Sequence, residues 1–130
     1  MFGLGGSTLR GKRLLGVLGI LACTLLLCTG ADGHAVLQES TPAANSTVHG
    51  TDVNIRLRYN SRIDGSRSKL TLIRPDGTTE TLTIEKQPSP DTLTSAASHL
   101  KPGAYKIHWQ VLATDGHITR GDIPFKVSGN

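Results

Sequence analysis

The chain has 130 residues, with 14 Lys plus Arg against 10 Asp plus Glu, five His, two Cys and one Met. This length holds one domain, and a scattered net charge of +4 gives no nucleic-acid footprint. Cys23, Cys28, Met1 and eight of the fifteen glycines lie in the first 33 residues and all five histidines lie after them, which argues against a zinc site or disulfide framework built on the cysteines.

Residues 1–33 have the layout of an export signal. Arg10, Lys12 and Arg13 precede an apolar run from Leu14 to Cys28. At about 15 residues that run is short of a bilayer span and suits a signal core. Ala31 and Gly33 fit a small-x-small cleavage site immediately before His34. An uncleaved anchor is the alternative. Lipoprotein junctions at Cys23 or Cys28 fit poorly, because Leu21 and Leu27 stand where small residues are usual. Cleavage before His34 leaves 97 residues, 11 basic and 9 acidic, with no cysteine or methionine. A domain of about 100 residues can still fold on its core alone, burying roughly 60–65% of its unfolded surface.

The rest of the chain reads as strands. A first short one is expected over Ala35–Glu39. Val53, Ile55, Leu57 and Tyr59 alternate with polar residues, the pattern of a half-buried strand. Leu70 and Leu72 begin another, which Pro75-Asp76-Gly77 turns back into a return strand with Leu82 and Ile84. The segment Gln87–Ser98 reads as a loop with one weak strand near Leu93. After Pro102-Gly103, the residues Tyr105, Ile107, Trp109 and Val111 form one apolar face. Asp115-Gly116 turns the chain, and Ile123, Phe125 and Val127 close it. No stretch after residue 34 keeps a helical period for ten residues. The expected class is all-β, an antiparallel Greek-key sandwich or barrel of about seven strands.

Two features could carry chemistry. Cleavage would make His34 N-terminal, so its α-amine and imidazole Nδ1 could close a chelate ring on one metal ion. The amine has an ordinary pKa of about 7.7–8.0 and must lose its proton to bind, so affinity should fall in acid. An accidental histidine after the cut is the plainer reading. The second feature is Asp115-Gly116-His117, where a carboxylate and an imidazole flank a permissive glycine. Asp-Gly is also a leading hairpin signal, and a turn can both reverse the chain and present ligands.

These residues also carry a resemblance. His34-Ala35-Val36-Leu37 with Ser40-Thr41-Pro42-Ala43 resembles the mature start of the CopC family of periplasmic copper-binding, copper-resistance proteins. The ending resembles that family more specifically, through Pro102-Gly103-Ala104-Tyr105, Trp109, Asp115-Gly116-His117, Gly121 and Phe125-Lys126-Val127. The resemblance implies an immunoglobulin-like or cupredoxin-like β fold, a domain over residues 34–130 and one Cu(II) per chain. It places the metal ligands at His34, Asp115 and His117. A CopD-like inner-membrane permease is the partner it suggests. Independently, an amine, two imidazoles and a carboxylate suit tetragonal Cu(II) better than tetrahedral Zn(II). The expected mature chain lacks methionine, whereas some family members carry a methionine-rich Cu(I) site. A Cu(II)-only protein is therefore expected.

His108 should face solvent opposite Trp109, itself a core residue. His49 and His99 sit in polar loop stretches without a second ligand, and Glu39, Asp52, Asp64 and Asp91 read as surface charges. The expected function is a monomeric periplasmic Cu(II) carrier or buffer, not an enzyme. Two other classes compete: a small copper oxidase acting on polysaccharide through an N-terminal histidine, and a metal-free adhesive sandwich module. A cut after Ala31 would instead leave Asp32-Gly33-His34 as a self-contained N-terminal copper motif. Intact mass separates the two starts.

Overall fold

The computed structural model describes residues 34–129; the expected leader and its cleavage positions lie outside the described residues. Eight strands are present and no helix among the described residues: β1 (Leu37–Thr41), β2 (Ser46–His49), β3 (Val53–Tyr59), β4 (Ile63–Ile73), β5 (Thr79–Leu82), β6 (Thr92–Ala97), β7 (Gly103–Ala113) and β8 (Ile118–Ser128). They form a three-stranded sheet in the order β1-β3-β6 and a five-stranded sheet in the order β2-β8-β7-β4-β5.

The period-two pattern decides what faces inward. Val53, Ile55, Leu57 and Tyr59 of β3 are all buried, as are Tyr105, Ile107, Trp109 and Val111 of β7 and Ile123, Phe125 and Val127 of β8. Leu70, Leu72 and Leu93 complete the middle of this core. Burial at this density drives the fold without cysteine, because roughly 25 cal/mol is gained per Å² of apolar surface removed from water. Tyr59 and Trp109 meet edge to face, with ring centroids 5.3 Å apart. Trp109 lies opposite Gly121 in the β7–β8 register. A Cβ there would stand 2.4 Å from the indole, so glycine lets the ring lie flat on β8.

Four details depart from the sequence reading. The first strand begins two residues later than expected. β2 was not foreseen, and it pairs parallel with β8 in an otherwise antiparallel pair of sheets. Its four residues, Ser-Thr-Val-His, offer one apolar side chain, too few for an alternation to be read. β4 starts at Ile63, seven residues before Leu70, and its pairing with β7 shifts register between Asp64 and Lys69. β5 ends at Leu82, leaving Ile84 packed on the core from outside a strand. The weak strand near Leu93 is β6, buried through Thr92, Leu93, Ser95 and Ala97.

Candidate metal centre

The β7–β8 hairpin turns through residues 114–117. Its frame is closed by the Ala113 amide donating to the His117 carbonyl and the Gly116 amide donating to that of Ala113, both at 2.9 Å. Gly116 has φ +94°, a left-handed conformation that glycine takes without penalty. Asp115 Oδ1 accepts the His117 amide at 3.1 Å, an Asx turn that shapes the tip. Asp115 Oδ2 lies 2.9 Å from His117 Nδ1. The Asp-Gly signal thus makes a turn, and the same turn presents both polar side chains.

His34 reaches this hairpin through the segment that precedes β1. Ala35 is buried, and its carbonyl accepts the Thr119 hydroxyl at 3.1 Å. The Val36 amide donates to Asn60 Oδ1 at 2.8 Å, and the Asn60 amide donates back to the Val36 carbonyl at 3.0 Å. Residues 35 and 36 are therefore tied both to β8 and to the end of β3. Held this way, the His34 ring lies beside that of His117, with centroids 4.8 Å apart and planes at 67°. Sequence reasoning missed Asn60 and Thr119. Neither residue type signals such a role, and Thr119 is 84 positions from its partner.

The site is open to solvent. The His117 side chain is 60% exposed and that of Asp115 34%. Hydrogen bonds from the His117 side chain and amide hold the Asp115 carboxyl below the usual carboxylate range, and the nearby His34 adds to the effect. The carboxylate therefore stays charged to low pH. Both its oxygens face His117, and among the described residues no three His, Cys, Asp or Glu side chains form a ready-made metal cluster. His117 Nδ1 is engaged by a carboxylate, a pairing that fixes the ring orientation of many metal-binding histidines.

The other histidines lie elsewhere. His108 is on the outer face of β7, its Nδ1 2.6 Å from Asp122 Oδ1. His49 ends β2, not a loop, and its Nδ1 is 2.7 Å from Ser128 Oγ. His99 lies in the β6–β7 connection. Glu39 pairs with Arg58, and Asp64 caps its own turn through Ser66. Asp91 binds the Ser89 and Thr92 hydroxyls, and Asp52 accepts the His99 amide.

A CopC domain model matches residues 37–128, nearly all of the described chain. The chain belongs to the CopC family. The match includes Asp115 and His117, and starts three residues after His34. Protein YobA of Escherichia coli K12 is 32% identical over 124 residues, covering 93% of this chain and 98% of YobA. Copper resistance protein C of Xanthomonas campestris pv. juglandis is 28% identical, covering 83% of this chain and 91% of that protein. Among solved structures, CopC of Methylosinus trichosporium OB3b superposes with a TM-score of 0.70 at 26% identity, covering 75% of this chain and 96% of that one. The methionine-rich copper resistance protein PcoC of Escherichia coli shares the fold, with a TM-score of 0.57 at 21% identity, covering 73% of this chain and 99% of PcoC. The CopC fold expected from the sequence ending is thus found, with eight strands.

Proposed function

We propose that this CopC-family chain is an exported, periplasmic Cu(II) carrier or buffer that holds one ion between His34, Asp115 and His117. The observation that carries the reading is the 4.8 Å separation of the two imidazole centroids. Two imidazoles sharing one ion through metal–nitrogen bonds of about 2.0 Å place their centroids about 4.4 Å apart when cis and about 6.3 Å apart when trans. The native spacing is close to the cis arrangement before any ion arrives. To join the set, Asp115 would have to give up its Oδ2 contact with His117 Nδ1, while Oδ1 could still cap the turn. Cleavage before His34 adds the α-amine. The resulting nitrogen and oxygen donors favour Cu(II), and the absence of methionine from residues 34–130 leaves no thioether for Cu(I).

The names of the relatives support a role in copper resistance. An exposed site suits an ion that is taken up and passed on, for example to an inner-membrane permease, and a carboxylate ligand tends to fill the position an oxidase leaves open. Cu(II) titration with electron paramagnetic resonance tests the reading on the exported protein, after intact mass has fixed its first residue. One equivalent should bind in a tetragonal nitrogen and oxygen site. Binding should weaken sharply in His117→Ala and weaken less in Asp115→Asn. Affinity should also fall as pH drops below about 8, as protons compete with the ion for the α-amine. Equal affinity in the parent and His117→Ala would overturn the site.

A further inference from the structure

β7 runs eleven residues from Gly103 to Ala113. At roughly 3.3 Å per residue its start lies about 33 Å from its end, which leads into the turn that carries His117. At that far pole the β4–β5 turn and the β6–β7 connection enclose a cleft of about 360 Å³, lined by Arg74, Pro75, Asp76, His99, Lys101 and Tyr105 among others. That volume is in the range of small-molecule sites. We propose that this cleft binds a small oxyanion, a phosphate or a carboxylate, through His99 and Lys101.

The donors in the cleft are not equally available. Arg74 is engaged with Glu80. The Asp76 carboxylate is turned onto its own loop, where Oδ1 accepts the Thr78 amide at 3.0 Å and the Thr78 hydroxyl at 2.7 Å. Lys101 and His99 remain. Neither side chain has a hydrogen-bond or ion-pair partner among the described residues, whereas His49, His108 and His117 are each bonded to a neighbour.

The backbone that carries both groups is tied down. His99 has φ +60°, a left-handed conformation that residues with a Cβ seldom adopt. It is held there between the Asp52 carboxylate, which accepts the His99 amide at 3.4 Å, and the Leu100 amide, which donates to the Thr51 carbonyl at 2.9 Å. Glycine would take this conformation without strain. A residue held at positive φ, with a polar side chain and no internal partner at the wall of a cleft, fits a binding role. The Lys101 carbonyl is fixed by the buried Tyr105 hydroxyl at 2.7 Å. Gly103 lets Pro75 press against the start of β7, since a Cβ there would stand 2.6 Å from the Pro75 ring. An ammonium and an imidazole lining one cleft with a proline and a tyrosine can hold an oxyanion by hydrogen bonds, the ammonium's being charge-assisted.

The test is a titration of the purified, metal-free protein with inorganic phosphate, followed by amide chemical shifts. A second arm uses acetate, and a third uses sodium chloride at matched ionic strength. Phosphate or acetate should give saturable shifts confined to residues 74–77 and 99–105, and chloride should not. The arm that saturates at lower concentration identifies the oxyanion. Lys101→Ala, and His99→Asn, which keeps a residue tolerant of positive φ, should each weaken binding at least fivefold. His117→Ala should leave it unchanged, which separates this site from the metal centre. Shifts that never saturate, that chloride reproduces, or that persist in Lys101→Ala would overturn the proposal.

Discussion

At residue 87 one side-chain amide completes an edge that no strand covers. β4 pairs with β5 only from Leu70 to Ile73, so its first half lacks a strand on that side. Gln87 Oε1 accepts the Gly65 amide at 3.0 Å. Its Nε2 lies 3.3–3.5 Å from the carbonyls of Ile63, Ser89, Pro90 and Thr92. Two amide hydrogens can serve only two of these four acceptors at once, so the group holds the loop to the strand by shared bonds. Gln87→Ala should destabilise the fold by about 1–3 kcal/mol, seen as a lower urea midpoint with an unchanged slope. Gln87→Glu should do no better, because a carboxylate cannot donate to carbonyls. Gly121 is sensitive in the opposite sense. Gly121→Ala forces a Cβ into the Trp109 ring and should cost about 1–3 kcal/mol through overpacking, with a changed near-ultraviolet circular dichroism signal from the indole. A Gly in the middle of an alternating strand hints at such a close approach, but the sequence does not say which ring arrives.

The elements around the metal centre were legible to different degrees. The β7–β8 hairpin could be read, because alternation on both sides of Asp115-Gly116 specifies strands, turn and exposed tip together. The docking of His34 could not. Residues 34–36 form no strand, and they are placed by Asn60 and Thr119, whose side chains act only once β3 and β8 have been brought together. β2 was illegible for a similar reason, since its parallel pairing with β8 depends on neighbours and not on its own pattern. The clamp yields a prediction at this scale. Thr119→Val and Asn60→Ala should each lower Cu(II) affinity by about three- to tenfold, the worth of one hydrogen bond in placing the ligand. Thr119→Ser should restore it. Competition titration against a chelator of known affinity, with thermal melting as a control for folding, checks this.

For the molecule as a whole, charge and core act at different pH. Glu39 is held below its usual range by Arg58, Asp91 by the Ser89 and Thr92 hydroxyls, Asp76 by Thr78, Asp64 by Ser66 and Asp115 by His117. A carboxylate with a lowered native pKa stabilises the fold above its unfolded value, ordinarily about 3.9–4.3. That stabilisation is lost as pH falls through the native value. Stability should therefore stay level down to about pH 5 with respect to these groups and decline below about pH 4, as acid titration by far-ultraviolet circular dichroism would show. Removing metal should leave the fold standing, because the buried cluster contains none of His34, Asp115 or His117.

On the proposed reading, the His34 amine and imidazole bind the ion together with the β7–β8 hairpin. Cu(II) affinity should therefore be compared between a protein prepared to begin at His34 and the same protein with one glycine placed before it. Loss of the chelating amine should weaken binding by about a hundredfold or more and change the electron paramagnetic resonance spectrum, while the fold is unaltered. Equal affinity and identical spectra in the two proteins would contradict it.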